Sequence, residues 1–337
     1  MRSREQRKTW SDLRSTRWAP PRAAGVSAER RGTYVAALQQ AEELFSAADA
    51  VGVASAPVLL FYGLSQAGRA IAAAAAELEG DDWQLSGHGI KAQQLSGKLV
   101  DIRTFAVPNE AQSSFVRLSH LLRSPIWNGT NALRFSDLWA TIPDLASHPI
   151  SHDYRPPLLA TPNSSIDGHQ FVSAWISGIP NRLAAIGTTA TDFIEFMSGY
   201  PTATGYTYVR DQAGRPQYHL DEDGMTVGVQ MHWSAGDRFP VPEEARAAAI
   251  NRAIQPYTPG LFYLFPEVLS GRPPLHPLMA WWAMLYALSM LARYHPDAWA
   301  RAIDVDGSEY ATALEHVLVE ASTTVPALVL GVLGAVS

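Results

Sequence analysis

The stretch "FYGLSQAGRAIAAAAAELEG", residues 61–80, constrains the fold more than any other. Leu60, Leu64, Ala67, Ile71, Ala75 and Leu78 form an apolar stripe at helical spacing. Gly63 and Gly68 interrupt the same helix, each at a cost of about 1 kcal/mol relative to alanine. Such glycines are tolerated where neighbouring elements must approach closely, so the stretch predicts a thin helix packed on more than one side. Pro57, shortly after Ser55, suits the first turn, where its missing N–H is harmless. Tyr62, Gln66 and Arg69 follow at i, i+4 and i+7. They make a polar seam that either meets solvent or binds a ligand.

The remaining elements follow from periodicity and punctuation. A helix starts after Ser27 and runs through "AERRGTYVAALQQAEELFSAADA", with Tyr34, Leu38, Ala41, Leu44 and Phe45 on one face. "KLVDIRTFAVP" and "SSFVRLSHLL" read as extended, and "RFSDLWATIPDLA" as a short helix capped by Ser136. "FVSAWISGI", "GYTYVRD", "QYHLDEDG" and "MTVGVQMHW" read as strands separated by turns. "PVPEEARAAAINRAI", "TPGLFYLFPEVLSG", "HPLMAWWAMLYALSMLARY" and "EYATALEHVLVEASTTV" read as helices. The order helices, strands, helices predicts an α+β chain in which the first and last helices share one bundle. The expected divisions are a basic arm over 1–26, bundle helices over 27–97, a mixed, β-rich insertion over 98–235, and the rest of the bundle over 236–337.

Composition excludes several classes. The 337 residues contain no cysteine, which removes disulfides, thiolate nucleophiles and zinc–thiolate sites and suits a reducing cytoplasm. Residues 1–31 carry nine Lys or Arg against three acids, a +6 arm on a body of −12. Such an arm docks on nucleic acid, on an acidic partner or on its own body. Trp10 and Trp18 favour the last, because a solvated tail seldom spends two indoles. "MRSREQRKTWSDLRSTRW" has no apolar signal-peptide core, and the expected location is cytoplasmic. The apolar runs 278–292 and "VPALVLGVLGAV" are shorter than the roughly 20 residues of a membrane span and read as core, so no membrane contact is expected.

Motifs for chemistry are few. "DLASHPISHDY" sets His148 and His152 four apart, and His169 follows, but Pro149 breaks the helix that a metal pair needs. No metal and no cofactor is expected. Asp221, Glu222 and Asp223 precede Gly224 in what reads as a hairpin turn, and Asp304 and Asp306 start a calcium-like loop that the sequence does not complete. In "LSGHGIKAQQL", His88 lies between glycines ahead of an expected third helix, at an N-terminus that favours anions. In "SMLARYHPDAW", Arg293 and His295 stand where a buried helix ends, with Trp299 packing below. Arg69, His88, Arg293 and His295 are therefore the candidate catalytic set, provided they converge in one cleft. A pocket in the β-rich unit would use Tyr208, Tyr218, His219 and His232.

"LLFYGLSQAGRAIAAA" followed by "GHGI", then "RFSDLWATIPDL" and "MLYALSMLARYHPDAW", resembles the YaaC-like family of bacterial proteins from about Trp10 to Trp299. The piece "FYGLSQAGRAIAAA…GHGI" is also similar to the tyrosine-bearing helix and His-Gly turn of HEPN domains. That second likeness implies a HEPN-like helical bundle. Many HEPN proteins are metal-independent ribonucleases that use an Arg followed about four to six residues later by His, and some serve stress responses or phage defence. Here no His follows Arg69 until His88, and Arg293 and His295 are two apart. Two functions follow as expectations: a non-catalytic interaction or ligand-binding protein on a HEPN-like scaffold, or a divergent ribonuclease effector. Pairing of HEPN-like helices implies a homodimer or a protein partner, and the basic arm allows nucleic acid.

Overall fold

The computed structural model describes residues 3–107, 112–151, 155–163, 170–185, 187–220, 226–236 and 240–337. Contacts divide the chain into two compact units, residues 1–154 with 275–337, and residues 155–274. The first unit is helical. Its helices are α1 (Arg4–Trp18), α2 (Ala28–Ala48), α3 (Ala56–Ala74), α4 (Ser114–Leu121), α5 (Phe135–Trp139), α8 (Pro277–Tyr294), α9 (Pro296–Ala302) and α10 (Ala311–Val336). It also holds a small antiparallel sheet of β1 (Ile90–Gln93), β2 (Arg103–Ala106) and β3 (Leu133–Arg134) in that order.

The two interior glycines of α3 mark its tightest contacts. A Cβ on Gly63 would meet the Phe45 ring at 2.7 Å, and one on Gly68 would meet the Trp282 ring at 2.6 Å and Leu118 at 2.7 Å. Gly63 thus admits α2, and Gly68 admits α8 and α4, which explains why a helix with this much alanine survives two glycines. These glycine faces are used within the chain itself.

Helix ends are satisfied from a distance. The carbonyls at the C-terminus of α3 have no helical donors. Arg30 of α2, buried, donates from Nε to Ala73 O (2.8 Å), from Nη2 to Ala75 O (2.6 Å) and from Nη1 to Leu78 O (3.0 Å). Burial lowers its pKa, while its position at a helix C-terminus favours the positive charge. In α10, Pro326 lacks the N–H that would bond Ser322 O four residues earlier. Gln6 of α1 fills the vacancy, its Nε2 donating to Ser322 O at 3.0 Å and to Ser322 Oγ at 2.9 Å.

The basic arm is accordingly part of the bundle. Ser3 and Gln6 form a capping box at the start of α1, and Trp10 and Leu13 are buried. Trp18 departs from the expectation: it is 88% exposed. The tail is no separate piece either, because α10 runs from Ala311 through Pro326 to Val336. It is long and apolar enough to cross a membrane, with a window of mean hydropathy 1.8, yet 67% of that window is buried in the fold, as in a core helix.

The second unit is an antiparallel sheet in the order β6-β8-β5-β4-β10-β9, with β7 also paired to β8. The strands are β4 (Leu158–Asn163), β5 (Phe171–Ser177), β6 (Tyr206–Tyr208), β7 (His219–Leu220), β8 (Thr226–Ser234), β9 (Gln255–Pro256) and β10 (Phe262–Leu264). Val172, Ala174 and Ile176 alternate along β5, as Val229, Met231 and Trp233 do along β8. They share a core with Phe193, Phe196 and Met197 of α6 (Ala190–Met197) and Ala249 and Ala253 of α7 (Glu243–Ala253).

Several sequence expectations need correction. "SSFVRLSHLL" is helical in α4: Phe115, Val116, Leu118 and Ser119 bury one helical face, which overrides the β-forming character of the segment. "TPGLFYLFPEVLSG" contributes β10, not a helix, because Phe262, Tyr263 and Leu264 pair with Ala160, Leu159 and Leu158 of β4. The N-cap of α5 is Arg134, closed by Asp137 through the Arg134 N–H at 3.0 Å, rather than Ser136. The units divide at 154/155 and 274/275 rather than at 97/98 and 235/236. Phe115, Trp127, Phe135 and Trp139 are fully buried within the helical unit, and α7 with β9 and β10 completes the sheet unit.

Candidate functional site

The seam on α3 meets the end of α8. Tyr62, Gln66 and Arg69 are all half-buried along one side of α3. Arg293, in the last turn of α8, donates from Nη1 to Tyr62 Oη at 2.5 Å. Its guanidinium lies 5.5 Å from the centre of the Tyr62 ring and 4.9 Å from that of Tyr294. Stacking against two rings while serving the C-terminal carbonyl end of α8 is a stable position for a cation. Tyr294 is exposed, so the pair presents an aromatic face over a charge.

His88 sits beside this seam. Its ring is 5.3 Å from Phe61, 6.2 Å from Tyr62 and 6.1 Å from Tyr286, centre to centre. It is followed by β1, not by a helix, so the expected helix N-terminus at this point is absent. The turn instead joins the start of α4: Phe115 N–H donates to His88 O at 3.0 Å. Gly89 has φ of +69°, and a Cβ there would lie 2.6 Å from Ser113 Cβ, so glycine is required for this docking.

The other candidates lie elsewhere. Arg69 donates from Nη1 to Leu85 O at 3.1 Å and so ties α3 to the turn before His88. His295 caps the end of α8, and its Nδ1 is 3.3 Å from Ser96 Oγ on the loop after β1. It lines an open groove of about 920 Å³ with Gln93, Gln94, Ser96, Lys98, Asp101 and Arg103. Tyr62, His88 and Arg293 therefore come together, Arg69 is held by a backbone carbonyl, and His295 faces a different opening. Trp299 packs beneath as expected, its Nε1 donating to Ala54 O at 3.1 Å.

The tyrosines and histidines of the sheet unit separate. Tyr208 and Tyr218 pack on Phe193 at 5.3 and 6.2 Å, on the α6 side, and burial pushes the Tyr218 pKa up to about 12. His219 packs on Trp175 at 4.6 Å, and His232 alternates with the core residues Met231 and Trp233, so both belong to the opposite face. His148 stacks on His316 at 4.1 Å, and His316 Nε2 bonds Asp144 O at 2.9 Å. His152, His169, Asp221, Glu222 and Asp223 fall outside the described residues. Asp304 accepts the Asp306 N–H in a tight turn. Among the described residues no group of three or more His, Asp or Glu is arranged to hold a metal ion.

The YaaC-like protein family model matches residues 2–333, nearly the whole chain. The chain belongs to the YaaC-like family. No curated protein and no solved structure matches it. For this YaaC-like chain the residues that carried the resemblance are mainly architectural: Phe61, Gly68 and Trp299 pack, while Tyr62 and Arg293 join α3 to α8. The groove around Arg103 and Lys98 was missed in sequence, because isolated basic residues on a strand and a loop carry no motif. His295 was its one legible member.

Proposed function

We propose that the protein is a non-catalytic, ligand-binding or interaction protein built on a HEPN-like helical bundle. The observation that supports it is that each Arg and His of the candidate set is already engaged within the fold. Arg69 serves Leu85 O, Arg293 serves Tyr62, His88 packs among three aromatic rings, and His295 meets Ser96. Phosphodiester cleavage needs an acid–base group and a charge stabiliser aimed at one reacting phosphate. The divergent ribonuclease remains the second reading, favoured by the convergence of Tyr62, His88 and Arg293.

Incubation of the purified full chain with total RNA decides between them, wild type beside Arg69→Ala, His88→Ala and His295→Ala. Intact RNA in every lane, from protein that circular dichroism shows to be folded, is the expected outcome. RNA cleaved by the wild type and spared by any one variant overturns the non-catalytic reading. Contact of the basic arm with nucleic acid belongs to the same proposal. Arg4, Arg7, Lys8 and Arg14 are exposed on α1, and binding through them weakens steeply with added salt.

A further inference from the structure

The groove beside His295 has more positive charge than its own side chains can neutralise. Arg103 enters it from β2, where its backbone pairs with Gln93 on one side and Arg134 on the other. Its Nε is buried and makes no hydrogen bond, and among the described residues the guanidinium has no ion-pair partner. Arg134, its neighbour across the ladder, already has Asp137 at 3.3 Å. Lys98 lines the same groove, also with no ion pair among the described residues. Asp101 is its single carboxylate among the described residues. The Nε atoms of Arg117 and Arg293 are likewise buried without an acceptor, but their guanidinium groups reach Asp82 and Tyr62, whereas that of Arg103 has no partner among the described residues and is left to an external acceptor.

The loop that carries these groups is shaped rather than slack. Gln94 has φ of +63°, a conformation a side-chain-bearing residue rarely adopts, and Gly97 N–H donates to Gln94 O at 3.0 Å to close the turn. Ser96 in that turn reaches Nδ1 of His295 at 3.3 Å, which ties the imidazole to the same loop. The groove is open, and its volume of about 920 Å³ lies within the range of small-molecule sites.

We infer that this groove binds a small phosphorylated metabolite of nucleoside monophosphate or sugar phosphate size. Arg103 and Lys98 hold the phosphate dianion, Arg103 by its planar fork and Lys98 as a point charge. The His295 imidazole, steadied by Ser96, supplies a third contact to the phosphate. Gln93 and Gln94 offer amide donors and acceptors, and Asp101 accepts from sugar hydroxyls. This rests on the binding-protein reading and supplies its ligand class: the site holds a phosphate without breaking a bond.

The test is isothermal titration of the full chain with AMP, ribose 5-phosphate, inorganic phosphate and adenosine at low salt. Arg103→Gln and Lys98→Gln are titrated beside the wild type. AMP or ribose 5-phosphate should bind, adenosine should not, and each variant should weaken binding by about tenfold or more, as loss of a charge-assisted contact implies. Binding by inorganic phosphate alone locates the affinity in the anion subsite and supports the assignment of Arg103 and Lys98. No heat with any phosphorylated ligand, or equal affinity in folded Arg103→Gln and wild type, overturns the inference. Those outcomes leave the non-catalytic reading standing, whereas RNA cleavage would overturn that reading whatever binds here.

Discussion

In the helical unit, backbone groups left over at helix ends are taken up by side chains from distant helices. In the sheet unit the strands take up one another's. Arg30 takes up Ala73 O in the last turn of α3 and Ala75 O and Leu78 O beyond it, and Gln6 covers the carbonyl freed by Pro326, while the indoles of Trp127, Trp139 and Trp299 take up carbonyls of a strand and two loops, Thr104 O, His148 O and Ala54 O. In the sheet unit β5 is paired along its whole length to β8 and partly to β4, and the apolar layer closes over one face. A helix leaves four carbonyls without partners at its end, while an interior strand leaves few. The helical unit therefore satisfies its leftover carbonyls with a few polar side chains, and the sheet unit satisfies its backbone along the ladder.

Arg30→Met breaks that comparison most sharply. Methionine keeps the apolar stem but leaves Ala73 O and Leu78 O without a donor and Ala75 O with only the Leu78 N–H, at about 1–3 kcal/mol for each unsatisfied buried group. A loss of about 3 kcal/mol or more in urea unfolding is expected, confined to the helical unit. A loss below about 1 kcal/mol would mean that water replaces the guanidinium and that the cap is dispensable.

Paired glycine substitutions come next. A Cβ on Gly228 would overlap the Ile176 carbonyl, with its carbon at 2.9 Å, and Gly228, at the end of the β5–β8 ladder, is held between Ser177 of β5 and His219 of β7, so the backbone has little room to withdraw. A Cβ on Gly68 meets only side chains, Trp282 and Leu118, which can shift. Gly228→Ala should cost about 3 kcal/mol and Gly68→Ala about 1–2 kcal/mol, both read from denaturant midpoints. The reverse order would show that the bundle is the more rigidly packed of the two.

A pH dependence also separates the two units. His276 caps α8, its Nδ1 accepting from Leu278 N–H at 3.1 Å, and burial pushes its pKa down to about 4. The unfolded chain protonates this residue near its ordinary 6.5. The unfolded state thus binds the extra proton between pH 6.5 and 4, so this contribution is whole above about 6.5 and is lost as pH falls toward 4. His276→Asn retains a capping acceptor and does not titrate. Its Tm should fall less than that of the wild type between pH 7 and 4.5, and parallel curves would remove His276 from the account.

Much of the fold was legible because it rests on local pattern. Ser27 as an N-cap, the stripe from Leu60 to Ile71 and the alternation of β5 and β8 each follow from the period of one element, whereas Ala75 and Leu78 are buried beyond the end of α3 at Ala74. The α4 and β10 segments misled for the opposite reason. Phe115–Val116 and Phe262–Leu264 are short apolar runs whose state is set by what they pack against. At the candidate site the sequence indicated Tyr62, His88 and Arg293, because helix spacing and a Gly-His-Gly turn mark them.

The sequence by itself determined the two interior glycines of α3, the charge of the arm, the absence of thiols and the family to which the chain belongs. Tertiary structure alone decided that Gly63 and Gly68 admit Phe45 and Trp282, that Gln6 answers Pro326 across 320 positions of sequence, and that His295 shares an opening with Arg103 rather than with Arg69. The physical reason is range. Periodicity and capping act within a turn or two of chain, whereas close approach, carbonyl capture and charge left unneutralised depend on which distant segments the core brings together.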